Sequence, residues 1–468
     1  MYKNVSQKKR SIHPYFTTQS HYLVSSYIKK YSKKNDVVLD CFVGSGVTLL
    51  ESQILNRHSI GVDLSQLACL ISKTSTTKID NLDELSKIYN EIIDNTKYQI
   101  GLFSENNKDY ENKYFKDLRL PKNADKNSVK ELFNDKNFYY LNILINEINK
   151  IKNKKYRDLF RTIFSGILHR ASKTFFYDKI KLGGGNSSIF TKYRYWIPKR
   201  LDNRDVLDLF KIRFSRIKSV IKNINSLLNE DYKPKIYNKS STNLSFIKNS
   251  SIDYIYIDPP YGSNISYLDL STMWYAWLFE SKNFFKDKKK EVIEGGDLGK
   301  KEDEYLRLLN QTIKHLSRVL KEQRYISLAF SHKNLNFWSK ISTFFSDSNL
   351  VCKKIDYYPS FYNTFHKLKS TQSVLNGQLI ITFQKKTKKN KKKNNMIYIS
   401  DDDIFLKNTI QSFLKKKNLK IEKIVELLVI KIFKSDKSFK NLKMSDVVQI
   451  CKKNFKYLKE KNEWTINK

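Results

Sequence analysis

Two stretches of the chain alternate short apolar runs with amphipathic ones. In "NDVVLDCFVGSGVTLLESQILNRHSIGVDLSQLACLIS" an apolar run over 37–40 stops at a glycine turn, helical spacing begins near Thr48, a second apolar run covers 59–62, and helical spacing then resumes. Short β-rich runs bounded by turn residues predict strands, and apolar positions at i, i+3 and i+4 predict helices. The rhythm returns from Ile252: a strand over 252–257, helical material around 274–279, a helix over 304–320, a strand over 325–330, a helix over 337–345, and strands over 353–358 and 378–383. Such alternation predicts an α/β fold, a doubly wound and mostly parallel sheet closed by an antiparallel hairpin.

Between these stretches the spacing is helical in "YLNILINEINKI", "YRDLFRTIFSGILHRA" and "VLDLFKIRFSRIKSVIKNINSLL", which predicts a helical insert. "KLGGGNSSIFTKYRYWIPKR" (181–200) mixes glycines, aromatics and cations and reads as a loop. The run "QKKTKKNKKKNN" is too polar to pack, and reads as a solvated linker. Beyond it, "IEKIVELLVIKIF" and "SDVVQICKKNFKYL" predict a small helical appendage. The expected organisation is a discontinuous catalytic domain over 1–74 and 232–386, an insert over 75–231, a basic linker over 387–395 and a helical C-terminal domain over 396–468.

Composition narrows the partners. The 468 residues carry 87 Lys+Arg against 47 Asp+Glu, a formal net charge of +40, which exceeds what solubility needs and points to a polyanion, nucleic acid first. A lysine- and asparagine-rich coding bias accounts for part of the excess. Hydrophobic residues still make up 40% of the chain, enough for a core. The four cysteines (Cys41, Cys69, Cys352, Cys451) lack the spacing of a zinc site or a disulfide framework, so no metal is expected and the thiols are expected reduced. The start lacks an apolar signal core and no run of about 18 apolar residues occurs, so a soluble, cytoplasmic protein without a membrane partner is expected.

Two constellations carry chemistry. The first is "DCFVGSG", Asp40 to Gly46: glycines after a buried strand let the backbone turn tightly and approach a ligand, and the following helix offers free N–H groups. At the end of the next strand Asp63 stands where an acid accepts both ribose hydroxyls of an adenosine cofactor. A glycine turn alone is often purely structural; the strand, turn, helix, strand and acid in register argue otherwise. The second is "YIYIDPPYGSNISYLDL", in which Asp258-Pro259-Pro260-Tyr261 puts an acid and a ring around two prolines directly after an apolar run. A plain strand-capping turn explains the prolines but not the adjoining acid and ring.

The F-x-G-x-G pattern (Phe42, Gly44, Gly46) resembles S-adenosylmethionine-dependent methyltransferases, and the D-P-P-Y turn resembles the amino-group methyltransferases that act on adenine N6 or cytosine N4 of DNA. The resemblance implies a Rossmann-like methyltransferase sheet with S-adenosyl-L-methionine as cofactor. It implies that Asp40, Phe42, Gly44, Ser45 and Gly46 face the methionine and ribose part, and that Asp63, with Leu64 beside it, faces the ribose hydroxyls. "IHPYF" is similar to the family's N-terminal motif, through which His13, Pro14 and Tyr15 would hold the amino-acid end; taken alone, His13 reads as a capping or packing residue. Where many relatives carry an acid for the cofactor's adenine, "IYNKSSTNLSFI" offers Ser241 or Asn243 instead.

The catalytic set implied is Asp258, Pro259, Pro260 and Tyr261. An exocyclic amine is a poor nucleophile because its lone pair is delocalised into the ring, and accepting its hydrogens from two sides favours a pyramidal nitrogen. The Asp258 carboxylate and the Pro259 carbonyl, held by two restricted φ angles, would be those acceptors, and Tyr261 would stack on a base swung out of its duplex. No cysteine follows a proline, which disfavours carbon methylation through a cysteine nucleophile and leaves Cys41 a small packing residue. The segments over 265–279 and 304–334 are also similar to the family, although Arg324 stands where a turn glycine is common.

The expected substrate is DNA and the expected product adenine N6-methylated, because D-P-P-Y is commoner among the adenine enzymes. Cytosine N4, an RNA base, or a catalytically silent nucleic-acid-binding subunit are the alternatives. Such enzymes serve restriction-modification or phage defence, which implies a nuclease or other defence subunit as partner. Within the insert Arg194, Lys199 and Arg200, interleaved with Tyr193, Tyr195 and Trp196, suit phosphate contact and base stacking, or a structural loop. "KDKKKEVIEGGDLGKKEDEY" (286–305), with Lys288 and Lys289, reads as a mobile loop over the substrate or a solvated face. The lysines over 385–393 are expected to add nonspecific affinity.

Overall fold

The computed structural model describes residues 12–102, 113–177, 185–199, 204–261, 265–332, 335–359, 377–387, 397–399, 402–434, 437–439 and 444–466. The chain divides into two compact units, Met1–Ser241 with Ser263–Lys301, and Thr242–Gly262 with Glu302–Lys468. The helical segment expected as a separate insert thus shares a unit with the glycine turn, and the C-terminal helices share one with the D-P-P-Y strand. No helix among the described residues is long and apolar enough to cross a membrane.

The first unit opens with α1 (His21–Tyr31), β1 (Val37–Asp40), α2 (Val47–Ile54), β2 (His58–Asp63) and α3 (Gln66–Ser75). The strands pair parallel, Val37 opposite His58, and β5 (Lys235–Asn238) joins the far side of β2 in parallel, Asp63 opposite Asn238. Between α3 and β5 lie α4 (Leu82–Leu102), α5 (Asp135–Lys150), α6 (Lys154–Ala171), the paired short strands β3 (Phe175–Tyr177) and β4 (Gly185–Ser187), α7 (Ser188–Thr191) and α8 (Val206–Ile224). Part of the expected loop over 181–200 is therefore strand and helix; residues 181–184 and 200 of it lie outside the described residues.

The unit closes with α9 (Tyr267–Leu270), α10 (Thr272–Leu278) and α11 (Phe284–Lys290). Every residue of α10, "TMWYAWL", is buried, so this aromatic helix is core on all sides rather than amphipathic. Its Trp274 indole donates to the Ser165 carbonyl of α6 at 2.9 Å, satisfying a polar atom that burial would otherwise penalise.

In the second unit β6 (Ile252–Ile257) is buried at every position and pairs parallel with β7 (Leu320–Phe330), which pairs antiparallel with β9 (Gly377–Lys385), itself antiparallel to β8 (Leu350–Pro359). The crossovers are α12 (Glu302–Val319) and α13 (Leu335–Asp347). The strand–helix alternation and the antiparallel closure are those expected of the α/β, Rossmann-like class. Helix α12 carries Glu302, Asp303 and Glu304 in its first turn, where the helix dipole favours acids. At its other end the Lys385 ammonium donates to the Ser317 and Leu320 carbonyls, both at 2.6 Å. That cation, expected in the solvated basic run, caps a helix from inside β9; residues 388–395 of the run lie outside the described residues.

The C-terminal segment contains helices Asp402–Leu414, Ile421–Lys434 and Met444–Asn454, with short strand pairs β10 (Ile397–Ile399) with β11 (Lys437–Phe439), and β12 (Lys456–Leu458) with β13 (Glu463–Thr465). Phe433 meets the ring of Trp338 on α13 at 5.9 Å and that of Phe383 on β9 at 5.8 Å. The tail is packed onto α13 and β9 through this ring. Phe433→Ala should therefore lower the stability of the full chain by about 3 kcal/mol, read from the denaturant midpoint; an unchanged midpoint would mean that the tail hangs free.

Candidate active site

The first bend follows β1. Gly44 and Gly46 have φ of +50° and +82°, the left-handed region in which a side chain is strained. A Cβ on Gly44 would press on the Tyr15 ring at 3.3 Å, and one on Gly46 would sit 2.8 Å from Ser72 Cα. Gly46 is thus demanded as much by the close approach of α3 as by any ligand. The Asp40 carboxylate, 4% exposed, accepts from the Phe42 amide at 2.9 Å, tightening the turn. Ser45 and Leu64 are half-buried beside it.

Asp63 ties the bend together. Its Oδ2 accepts from the Gly44 amide at 2.9 Å and its Oδ1 from the Ser65 amide at 2.8 Å. Burial raises its pKa to about 6, against the pull of those amides. Each oxygen keeps a second lone pair, so the carboxylate retains one acceptor position per oxygen, the acceptor set that two ribose hydroxyls require. These residues fit the adenosine end of S-adenosylmethionine, the cofactor of this class. Asn238 was not singled out in the sequence: its amide donates to the Asp63 and Leu64 carbonyls at 3.0 and 2.8 Å, and an asparagine ending a strand is the signal that marks it.

The other cofactor candidates fare differently. Tyr15 lies against Gly44 and stacks on Tyr267 with centroids 6.1 Å apart. His13 is 2% exposed and shares with Ser45 the wall of a cavity of about 10 Å³, room for a water at most. Burial and Arg213 hold its imidazole neutral, with a pKa of about 3. His13 is thus neutral and buried in that wall. Ser241 is buried, whereas Asn243 is exposed and its Oδ1 accepts from the Ser245 amide at 3.1 Å, closing its own turn. Cys41 is buried and its thiol is pushed up by that burial, as befits a packing residue.

The second bend follows β6. Asp258 Oδ1 accepts from the Tyr261 hydroxyl at 2.5 Å, and the Tyr261 ring meets Phe330 edge-on at 5.1 Å. The Pro260 carbonyl is taken by the Tyr305 hydroxyl at 2.6 Å, a clamp from α12 with no signal in the sequence. Among the described residues the Pro259 carbonyl has no donor. The bend therefore offers one carboxylate and one open carbonyl on neighbouring residues, with prolines restricting the backbone between them.

The expected nucleic-acid contacts divide. Tyr195 is fully buried; its hydroxyl donates to the Leu270 carbonyl at 2.6 Å and accepts from the Met273 amide at 3.0 Å. It is a core strut, not a stacking platform. Lys288, 3% exposed, pairs with Asp269 at 2.8 Å. The expected mobile loop is pinned: the Asp297 amide donates to Asp269 at 2.7 Å, Arg119 pairs with Asp297 at 3.1 Å, and the buried Lys300 ammonium donates to the Lys289 and Glu291 carbonyls at 2.8 and 2.6 Å. Arg194 pairs with Asp125, and Trp196 is half-buried under the Lys192 ammonium. Lys199 and Lys289 are exposed. Arg200 lies outside the described residues.

Within that pinned loop Glu291 accepts from the Leu268 amide at 2.9 Å, and burial raises its pKa to about 8. A carboxyl raised in the folded chain gives stability that is full below its unfolded pKa of 4.5 and is lost as pH rises toward 8. Between about pH 5 and pH 8 the native chain should lose more stability than Glu291→Gln, by about 1 kcal/mol or more. Parallel stability curves for the two proteins would overturn this.

Comparison with known proteins bears on the same bends. Residues 1–74 match the N6/N4 family model described as DNA methylase. The chain is 24% identical over 418 residues to the Type II methyltransferase M.MjaII of Methanocaldococcus jannaschii, covering 74% of this chain and 76% of that one. It is 32% identical over 92 residues to the Type II methyltransferase M.BsoBI of Geobacillus stearothermophilus, over 19% of this chain and 18% of that one. A crystal structure of a SAM-dependent methyltransferase from Methanosarcina mazei aligns at 8% identity over 77% of this chain and 98% of that one, with a TM-score of 0.30. The family match over the glycine turn and the similarity to the archaeal protein support what the two motifs resemble, a DNA amino-methyltransferase of the N6/N4 class using S-adenosylmethionine.

Proposed function

We propose that this chain methylates the N6 amine of adenine in DNA, as a Type II enzyme of restriction-modification or phage defence. S-adenosylmethionine, when bound, supplies a methyl carbon on a sulfonium centre that is open to in-line displacement. Asp63 and the glycine bend hold its adenosine end. The target amine donates one hydrogen to the Asp258 carboxylate and the other to the Pro259 carbonyl, which frees the nitrogen lone pair to form the new N–C bond. That nitrogen would take the methyl with sulfur keeping the bonding pair, and Asp258 would take the displaced amine proton. Tyr261 stacks on the extruded base.

The reading is carried by one observation: at the second bend Tyr305 occupies the Pro260 carbonyl while the neighbouring Pro259 carbonyl has no donor among the described residues. An unfilled acceptor one residue from a carboxylate matches an amine with two hydrogens. Adenine is preferred to cytosine because D-P-P-Y is the commoner form among the adenine enzymes.

Base-modification sequencing of DNA from cells expressing this chain alone should report N6-methyladenine in one sequence context; N4-methylcytosine, or label incorporated into RNA only, would replace this reading. Asp258→Ala should abolish transfer, by about a thousandfold or more, yet leave cofactor affinity within a few-fold. A fully active variant would falsify the role assigned to Asp258.

A further inference from the structure

Gly166 stands in the middle of α6, where a glycine costs about 1 kcal/mol relative to alanine. Its neighbour explains it: a Cβ there would lie 2.6 Å from Arg213 Nε and 3.1 Å from its Cζ. The missing side chain makes room for a guanidinium from α8 laid across α6. Arg213 Nη2 donates to the Ile12 carbonyl at 2.5 Å, while its Nε is buried without a partner among the described residues.

No acid among the described residues accompanies it. Arg170 and Arg216, which line the same cavity of about 310 Å³, likewise have no carboxylate partner there. Each of the three lies close enough to another to be felt as a like charge: Arg216 and Arg170 act on Arg213, and Arg204 and then Arg216 act on Arg170. Burial and that repulsion bring Arg213 down to about 9. On the same wall His169 is 6% exposed, with a buried Nδ1 that has no partner among the described residues. A guanidinium buried without a counter-charge, as Arg213 is among the described residues, is costly to fold, and an entering anion relieves that cost. The contrast within the unit is direct: the buried Lys288 faces Asp269 and Asp297.

We propose that this cavity binds a backbone phosphate of the DNA, gripped by Arg170, Arg213 and Arg216. The proposal rests on the DNA reading above and adds a site to it. Three guanidiniums exceed what one carboxylate of a small ligand would neutralise, whereas a phosphodiester with its flanking phosphates suits several planar donor forks. The site would fix the position of the strand without reading its sequence.

The test is titration of the full chain with duplex DNA over a range of salt, by fluorescence anisotropy. Arg170→Gln/Arg216→Gln should weaken binding about tenfold at low salt, equally for cognate and unrelated duplexes, and make the slope of log K against log salt shallower by about 0.9 for each phosphate no longer neutralised. Arg216→Gln alone, at an exposed position, should shift both in the same direction by less. Cofactor affinity should stay as in the native chain. Unchanged DNA affinity and slope in a double variant whose native form binds and methylates DNA would overturn the site alone. A parallel fall in cofactor affinity would reassign the cavity to the cofactor, and a native chain that binds no DNA would sink the underlying reading too.

Discussion

The Asp63 carboxylate accepts from an amide 19 residues earlier in the chain, and the first bend rests on that bond. It joins the turn after β1 to the end of β2, while Asn238 brings the end of β5 to the same place through the carbonyls of Asp63 and Leu64. Three neighbouring strand ends therefore meet at one residue. The two backbone donors favour the ionised acid and burial disfavours it, which leaves it poised near pH 6. The left-handed glycines let the chain turn back within a few residues to make this stitch.

Elements set by short-range signals were legible in the sequence. Strands Val37–Asp40 and Ile252–Ile257 match their expected bounds, since each is an apolar run stopped by a turn or a proline. Strand β7 begins at Leu320 rather than 325, because it continues directly from α12 through a stretch whose charged residues hid it. The acid of the first bend, the acid of the second and the prolines were legible as well. What was not legible depends on partners far away in the chain. Nothing in "YRYW" says that Tyr195 reaches Leu270 and Met273, nor in "KDKKK" that its third residue turns inward to Asp269. Lysine runs look alike whether they face solvent or cap a helix, as Lys385 does.

The first unit handles positive charge in two ways. Around Asp269 the cations Lys288, Lys300 and Arg119 are met by acids or carbonyls, and the result is a pinned loop. Around Gly166 three arginines line one cavity with no carboxylate partner among the described residues. With a net charge of +40 the chain has cations to spare, so composition alone distinguishes neither case. Geometry does, because among the described residues the first group alone has its counter-charges within reach.

The seat of Phe433 sets a limit on how this protein can be shortened. Trp338 and Phe383 are fully covered in the intact chain, partly by that ring. A chain cut at the lysine-rich run would bare a contiguous aromatic surface on the half that carries the D-P-P-Y turn, and such surfaces drive self-association in water. Any attempt to isolate the chemistry from the tail would first have to make that seat polar.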